Sequence, residues 1–228
     1  MGTVTLNKTN RMYWLGRYLE RVYTTLKATR PLFDAYTDGR EADFTAYCIS
    51  LGISADYRDT ADFISRYYFD TENPSSIAAS LSYAYDNAIV LREMLSSETL
   101  AYVQMAVSAM ELAAKSSGPA VELQWVLDDI MAFRGACEEK IADDKNRSII
   151  KTGASLERVD LYLRLDYPQE AVRKEFERLF NRLYKAPLKP AKEPLALLVD
   201  ALLDTEKPTP SVPVLVRAQG YAPQIKTQ

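Results

Sequence analysis

Residues 16–22 read GRYLERV, and residues 153–159, 137 positions later, read GASLERV. Laid over one another, segments 11–26 and 148–163 match Gly16 with Gly153, Leu19 with Leu156 and Glu20 with Glu157. The match continues through Arg21 with Arg158, Val22 with Val159 and Leu26 with Leu163. Side chains three and four apart share a helix face, so each glycine lies one turn before its glutamate. Glycine inside a helix costs about 1 kcal/mol against alanine, and it is kept where something must come close to the backbone. The repeat therefore predicts two helices that approach at a glycine notch beneath a charged pair.

Helical periodicity runs through the rest of the chain. Leu15, Leu19, Val22 and Leu26 form one apolar stripe on a helix over roughly 10–37. Two shorter helices are expected at 41–51 and 54–69, split at Gly52. Asn73 as cap and Pro74 at the first helical position predict a helix to about Leu95. Ser96 or Ser97 caps the next, which ends near Gly118, and Pro119 opens a long helix to about Ala142. Further helices follow at about 147–166 and from Pro168 to Lys185. The fold class expected is all-α, a helical bundle with short connections. Residues 1–185 form the helical domain, and 186–228 a proline-rich tail with one short helix near 194–204 and some alternation at 211–218.

The absence of histidine excludes Ser-His-Asp and Cys-His catalysis, histidine bases and the usual zinc constellations. Eight glycines leave no phosphate-cradling loop. A net charge of -3 gives no basic field for DNA or for an anionic membrane. There is no run of about 18 apolar residues and no signal-peptide core, so the cytoplasm is the expected compartment. Cys48 and Cys137 sit in helical segments and read as reduced, core-filling thiols. No cofactor and no metal are expected. Acidic groups at Asp56, Asp59 and Asp62, or at Glu139, Asp143 and Asp144, have the oxygen chemistry for magnesium but read as solvated faces. Lys174, Arg178, Arg182 and Lys185 read as a solvated basic stripe diluted by Glu175 and Glu177, and the fifteen tyrosines as core-edge packing.

Candidate functional residues concentrate at the repeat: Gly16, Arg17, Glu20 and Arg21 on one helix, Gly153, Glu157 and Arg158 on the other. In one reading the glutamates pair with Arg17, Arg21 or Arg158 in a buried clamp. In the other, the same groups form a polar pocket for a carboxylate, a phosphate or a peptide end through bidentate arginine contacts.

These residues resemble a known family. MYWLGRYLERV (12–22), FDTENPSSIAASL (69–81), DNAIVLREMLSSE (86–98) and GASLERVD (153–160) resemble, in order, the motifs of the bacterial alpha-E domain, an all-helical domain named for its Glu-Arg signature. The third motif adds Asn87, Arg92 and Glu93 to the candidates. Ala154 and Ile89 stand where the family usually carries arginine. The resemblance implies association with circularly permuted ATP-grasp proteins, hence an accessory role in ATP-dependent amide-bond ligation, with a peptide or acidic small molecule as a further candidate partner. Two other functions stay open: an enzyme using Glu20 or Glu157 as general base with arginine anion clamps, and a structural bundle that oligomerises through its tail. The sequence leaves the oligomeric state open.

Overall fold

The computed structural model describes residues 6–40, 42–186 and 188. Among them the secondary structure is entirely helical: α1 (Leu6–Thr37), α2 (Thr45–Leu51), α3 (Thr60–Phe63), which runs on into a π-helical turn at Ile64–Tyr68, α4 (Ile77–Val90), α5 (Ser97–Ala113), α6 (Ala120–Lys140), α7 (Asp144–Arg164) and α8 (Gln169–Lys185). The short helix and the alternating segment expected in the tail lie outside the described residues, as does most of the proline-rich stretch.

Local chemistry sets the helix ends. Asp143 Oδ1 accepts from the amides of Lys145 and Asn146 to start α7, and Ser96 Oγ accepts from Thr99 N to start α5. Gly52 ends α2 in the left-handed conformation at φ 68°, where a side chain would be strained. Several expected boundaries move: α1 starts at Leu6, α2 at Thr45 and α7 at Asp144, and three further shifts have a visible local cause. The cap of α4 is Ser76, whose Oγ accepts from Ala79 N, whereas Asn73 spends its side-chain Oδ1 on Ser75 N in a turn. The same helix stops at Val90, because Leu91 N shares itself between the Asn87 and Ala88 carbonyls and the chain tightens into turns. The helix expected over 54–69 begins only at Thr60, where Asp59 accepts from Asp62 N.

Helix α1 is central. It packs on α7 and α4 and touches α6, while α5 packs on α4 and pairs with α6. One continuous core includes Met12, Leu15, Leu19 and Val22 of α1, Leu81 and Ala84 of α4, Val103 of α5, Ile130 of α6 and Ile149 of α7. A smaller second core, Val159, Leu163, Val172, Phe176 and Leu179, holds α8 to the opposite side of α7. The tyrosines of 65–70 join an aromatic group: Phe63 stacks on Tyr67 with ring centres 5.1 Å apart, and on Phe44 at 5.2 Å. Cys48 and Cys137 are buried free thiols, and burial pushes the Cys137 thiol up to about 12. None of the described helices is long and apolar enough to cross a membrane.

Candidate functional site

Helices α1 and α7 meet at their glycines. A Cβ on Gly16 would land on the Ile150 carbonyl oxygen, and a Cβ on Gly153 would land on the Tyr13 carbonyl oxygen. The two contacts are equivalent, since Tyr13 precedes Gly16 by the same three residues by which Ile150 precedes Gly153. Contact partners keep an offset near 137 along both helices, so the helices run in the same direction about a local pseudo-two-fold axis. Only glycine allows main chain to approach main chain this closely.

One turn beyond each glycine the glutamates exchange arginines. Arg21 Nε donates to Glu157 Oε1 at 2.6 Å, and Arg158 Nε donates to Glu20 Oε1 at 2.8 Å. Arg158 also donates from Nη2 to Glu20 Oε2 at 2.6 Å, which makes that pair bidentate. Both glutamates are only 1% exposed. An ionised carboxylate is buried this deeply only when it is paired and hydrogen-bonded. Burial alone raises the Glu157 carboxyl, but Arg17 and Arg21 outweigh it and hold the group below its ordinary range. Burial also works against the Arg17 and Arg158 charges, and their carboxylate partners overcome it.

The second cation differs between the halves. Glu157 Oε2 accepts from Arg17 Nε at 2.6 Å, and Arg17 lies 4.8 Å from the Trp14 ring centre. The residue of α7 equivalent to Arg17 is Ala154. Glu20 instead draws on α6: Arg134 Nη2 donates to Oε2 at 2.6 Å and stacks 4.1 Å from the Tyr23 ring centre. Thr24 Oγ1 adds a hydrogen bond to Glu20 Oε1 at 2.8 Å. A third buried glutamate, Glu175 of α8, accepts from Ser155 Oγ at 2.8 Å and pairs with Arg158 at 3.2 Å and Arg178 at 3.1 Å. Arg182 approaches it at 3.8 Å and donates to Ser155 Oγ and to the Lys151 carbonyl. Beside Glu20, under Ala154, lies a cavity of about 110 Å³.

The structure thus gathers Gly16, Arg17, Glu20, Arg21, Gly153, Glu157 and Arg158 at one crossing. It does not bring the third-motif residues there. Asn87 accepts from Arg11 at 3.2 Å and donates to the Tyr83 carbonyl, Glu93 pairs with Lys8 at 3.6 Å, and Arg92 is exposed. Sequence reasoning missed Arg134 and Glu175, and it left Arg182 on a solvated face from which it turns inward toward Glu175, while Arg178 reaches Glu175 and stays exposed. A signal existed for the first two. Arg134 lies in the stripe Ile130, Phe133, Cys137, and Glu175 lies between Val172 and Leu179 on the apolar face of α8. A charge inside an apolar stripe is buried with a partner or not at all.

Of the acidic groups weighed for magnesium, Asp59 and Asp143 act as helix caps, and Asp62 pairs with Arg58 and Arg66. Among the described residues no three His, Cys, Asp or Glu side chains are gathered as a metal site needs.

The model of a family described as Alpha-E, a predicted alpha-helical domain with a conserved ER motif, matches residues 8–177. Neither the curated proteins nor the solved structures contain a match to the chain.

Proposed function

This chain belongs to the Alpha-E family, and from that premise we propose that it is a cytoplasmic accessory protein of an ATP-dependent amide-bond ligation system of ATP-grasp type, with its Glu–Arg crossing as the clamp of the fold. The observation that carries the clamp is saturation. Every carboxylate oxygen of Glu20 and Glu157 accepts at least one hydrogen bond, and all but one of these bonds come from arginine. A general base needs an accessible carboxylate with a pKa moved toward neutrality. Glu157 is buried and moved the other way, which argues against the reading of the chain as an enzyme built on that residue. Glu20 meets the same objection of access, since four hydrogen bonds already occupy its two oxygens.

The partnership is supported by the family resemblance of the four motifs spanning residues 12–160. Size-exclusion chromatography with light scattering tests it, using the whole chain mixed with the circularly permuted ATP-grasp protein of the same genome at about 10 µM, a concentration that reveals micromolar affinities. A co-eluting complex is the expected result. Separate elution with and without ATP sinks the proposal. The same measurement on the chain alone gives its oligomeric state.

A further inference from the structure

The crossing is symmetric in its glycines, glutamates and second arginines, but not in its first arginine. Where Arg17 fills the space beside Glu157, Ala154 leaves the equivalent space beside Glu20 to a cavity of about 110 Å³. Besides Gly16, Ala154 and Glu20, whose oxygens are already taken by Arg134, Arg158 and Thr24, its walls are of two kinds. Leu19, Phe133, Cys137 and Ile150 supply an apolar side, while Arg134, Arg158, Arg182 and Lys151 supply a cationic one. Lys151 already pairs with Glu138. The four arginines on this side, Arg134, Arg158, Arg178 and Arg182, share two carboxylates, Glu20 and Glu175.

Arg182 is the least compensated of the four. Among the described residues its nearest carboxylate oxygen is 3.8 Å away, and its hydrogen bonds, to neutral oxygens of Ser155 and Lys151, leave from Nη1. Burial, with Arg158 and Arg178 close by, pulls its guanidinium below the ordinary value despite Glu175. Half-buried guanidinium groups with spare donors, facing a hollow with one apolar wall, match an anion that carries a small apolar body. The volume sets the size, since drug-sized ligands occupy about 300–1,000 Å³ and this cavity holds only a few heavy atoms.

We propose that the cavity under Ala154 is a binding site for a carboxylate on a short aliphatic body, either a free short-chain acid or the C-terminal end of a peptide, with its head on Arg182 and Arg158 and its body against Phe133 and Ile150. The site rests on the clamp only in taking the Glu20–Arg158 pair as fixed, and it does not depend on the ligation partner.

Isothermal titration of the whole chain with butyrate, N-acetylvaline, butyramide and inorganic phosphate tests it. One-to-one binding of butyrate or N-acetylvaline, at least tenfold tighter than butyramide and phosphate, is the expected result. Tighter butyrate identifies a free acid and tighter N-acetylvaline a peptide end. Ala154→Arg restores the missing side chain and abolishes binding with the helical circular dichroism kept. Arg182→Gln weakens binding tenfold or more, and Lys151→Gln, a milder change at the rim, about twofold. No carboxylate binding, phosphate binding as tight as butyrate, or full binding in a folded Ala154→Arg or Arg182→Gln chain overturns the proposal. Should Ala154→Arg fail to fold, the Arg182→Gln comparison decides. Loss of this site leaves the ligase complex, read separately by light scattering, unaffected, so the two failures are distinguishable.

Discussion

On the Glu157 side of the crossing, Arg17 and Arg21 close on the carboxylate and rest near Trp14 and Tyr18, with guanidinium-to-ring distances of 4.8 and 5.8 Å. On the Glu20 side, Arg158 takes the place of Arg21, but Ala154 stands where Arg17 would, and Arg134 reaches in from α6. The first half is filled by its own two helices. The second borrows a cation from a third helix and keeps a hollow beside it. One short motif, written twice, thus gives a closed clamp in one copy and a clamp with an opening in the other. The difference comes from one position after the glycine and from what the neighbouring helix carries.

The strongest way to break the comparison is to remove what both halves share. Gly16→Ala and Gly153→Ala each drive a methyl into main chain that has no flexible end to yield. The helices must separate, so each substitution is expected to cost more than the about 3–5 kcal/mol of stranding one buried ion-pair partner. Equal losses in denaturant melts are predicted if the crossing is symmetric, and a large inequality would refute the pseudo-two-fold relation.

Next comes Glu157→Gln, which strands Arg17 and Arg21 in a filled space. A loss of about 3–5 kcal/mol corresponds to a fall in melting temperature of about 6–20 °C for a chain of this size. Glu20→Gln is expected to lie at about 3 kcal/mol, the low end of that range, because Arg158 keeps Glu175 and the cavity admits water or an anion. Acetate, compared with sodium chloride at equal ionic strength, restores part of the melting temperature of Glu20→Gln and none of that of Glu157→Gln. Equal rescue of the two would erase the distinction between the halves.

Acidification gives a third test. Glu157 has a folded-state pKa below its unfolded value, so its contribution is complete above the unfolded value of about 4.3 and is lost as pH falls through the lower folded value. Burial raises Asp160, with Arg164 only partly offsetting it, so its contribution has the opposite sign and fades as pH rises through its folded value. Urea melts between about pH 3 and 7, spanning the reference carboxyl values, are expected to fall more steeply toward acid for the parent than for Glu157→Gln. The smallest effect belongs to Asp160→Asn. It forgoes an intrahelical ion pair, of a kind worth about 0.2–0.5 kcal/mol on an exposed helix, but removes a charge that burial opposes. Stability near pH 7 is expected to stay equal or rise slightly in the same melts.

The parts of the clamp contributed by the repeat were legible in the sequence because identical residues at identical helical spacing must present the same face. The all-helical class was legible for a related reason, the regular recurrence of residues such as Leu15, Leu19, Val22 and Leu26 on one side of a helix. What the sequence left hidden is supplied from elsewhere in the chain. Arg134 and Glu175 belong to no repeat, and only packing of α6 and α8 beside the crossing brings them to Glu20 and Arg158. Asn87, Arg92 and Glu93 show the converse. Their likeness to a family motif says nothing of distance, and they face the first turns of α1 or solvent. The misplaced start of α4 is a contest between neighbours, in which Asn73 and Ser76 both cap well and Asn73 was already engaged in a turn.

The 137-residue step from Gly16 to Gly153 also sets a schedule for synthesis. At about 5–20 residues per second, a ribosome that has made Gly16 needs about 7–27 s more to reach Gly153. For that interval Glu20 and Arg21 have no Arg158 or Glu157 to meet, and the notch in α1 stands open. The α5–α6 pair is complete first, and with it Arg134, the only cation from outside the repeat that touches Glu20 among the described residues. Along the chain the borrowed arginine precedes the reciprocal one by 24 residues. The residue that makes the two halves unequal is thus also synthesised before the partner that the repeat supplies.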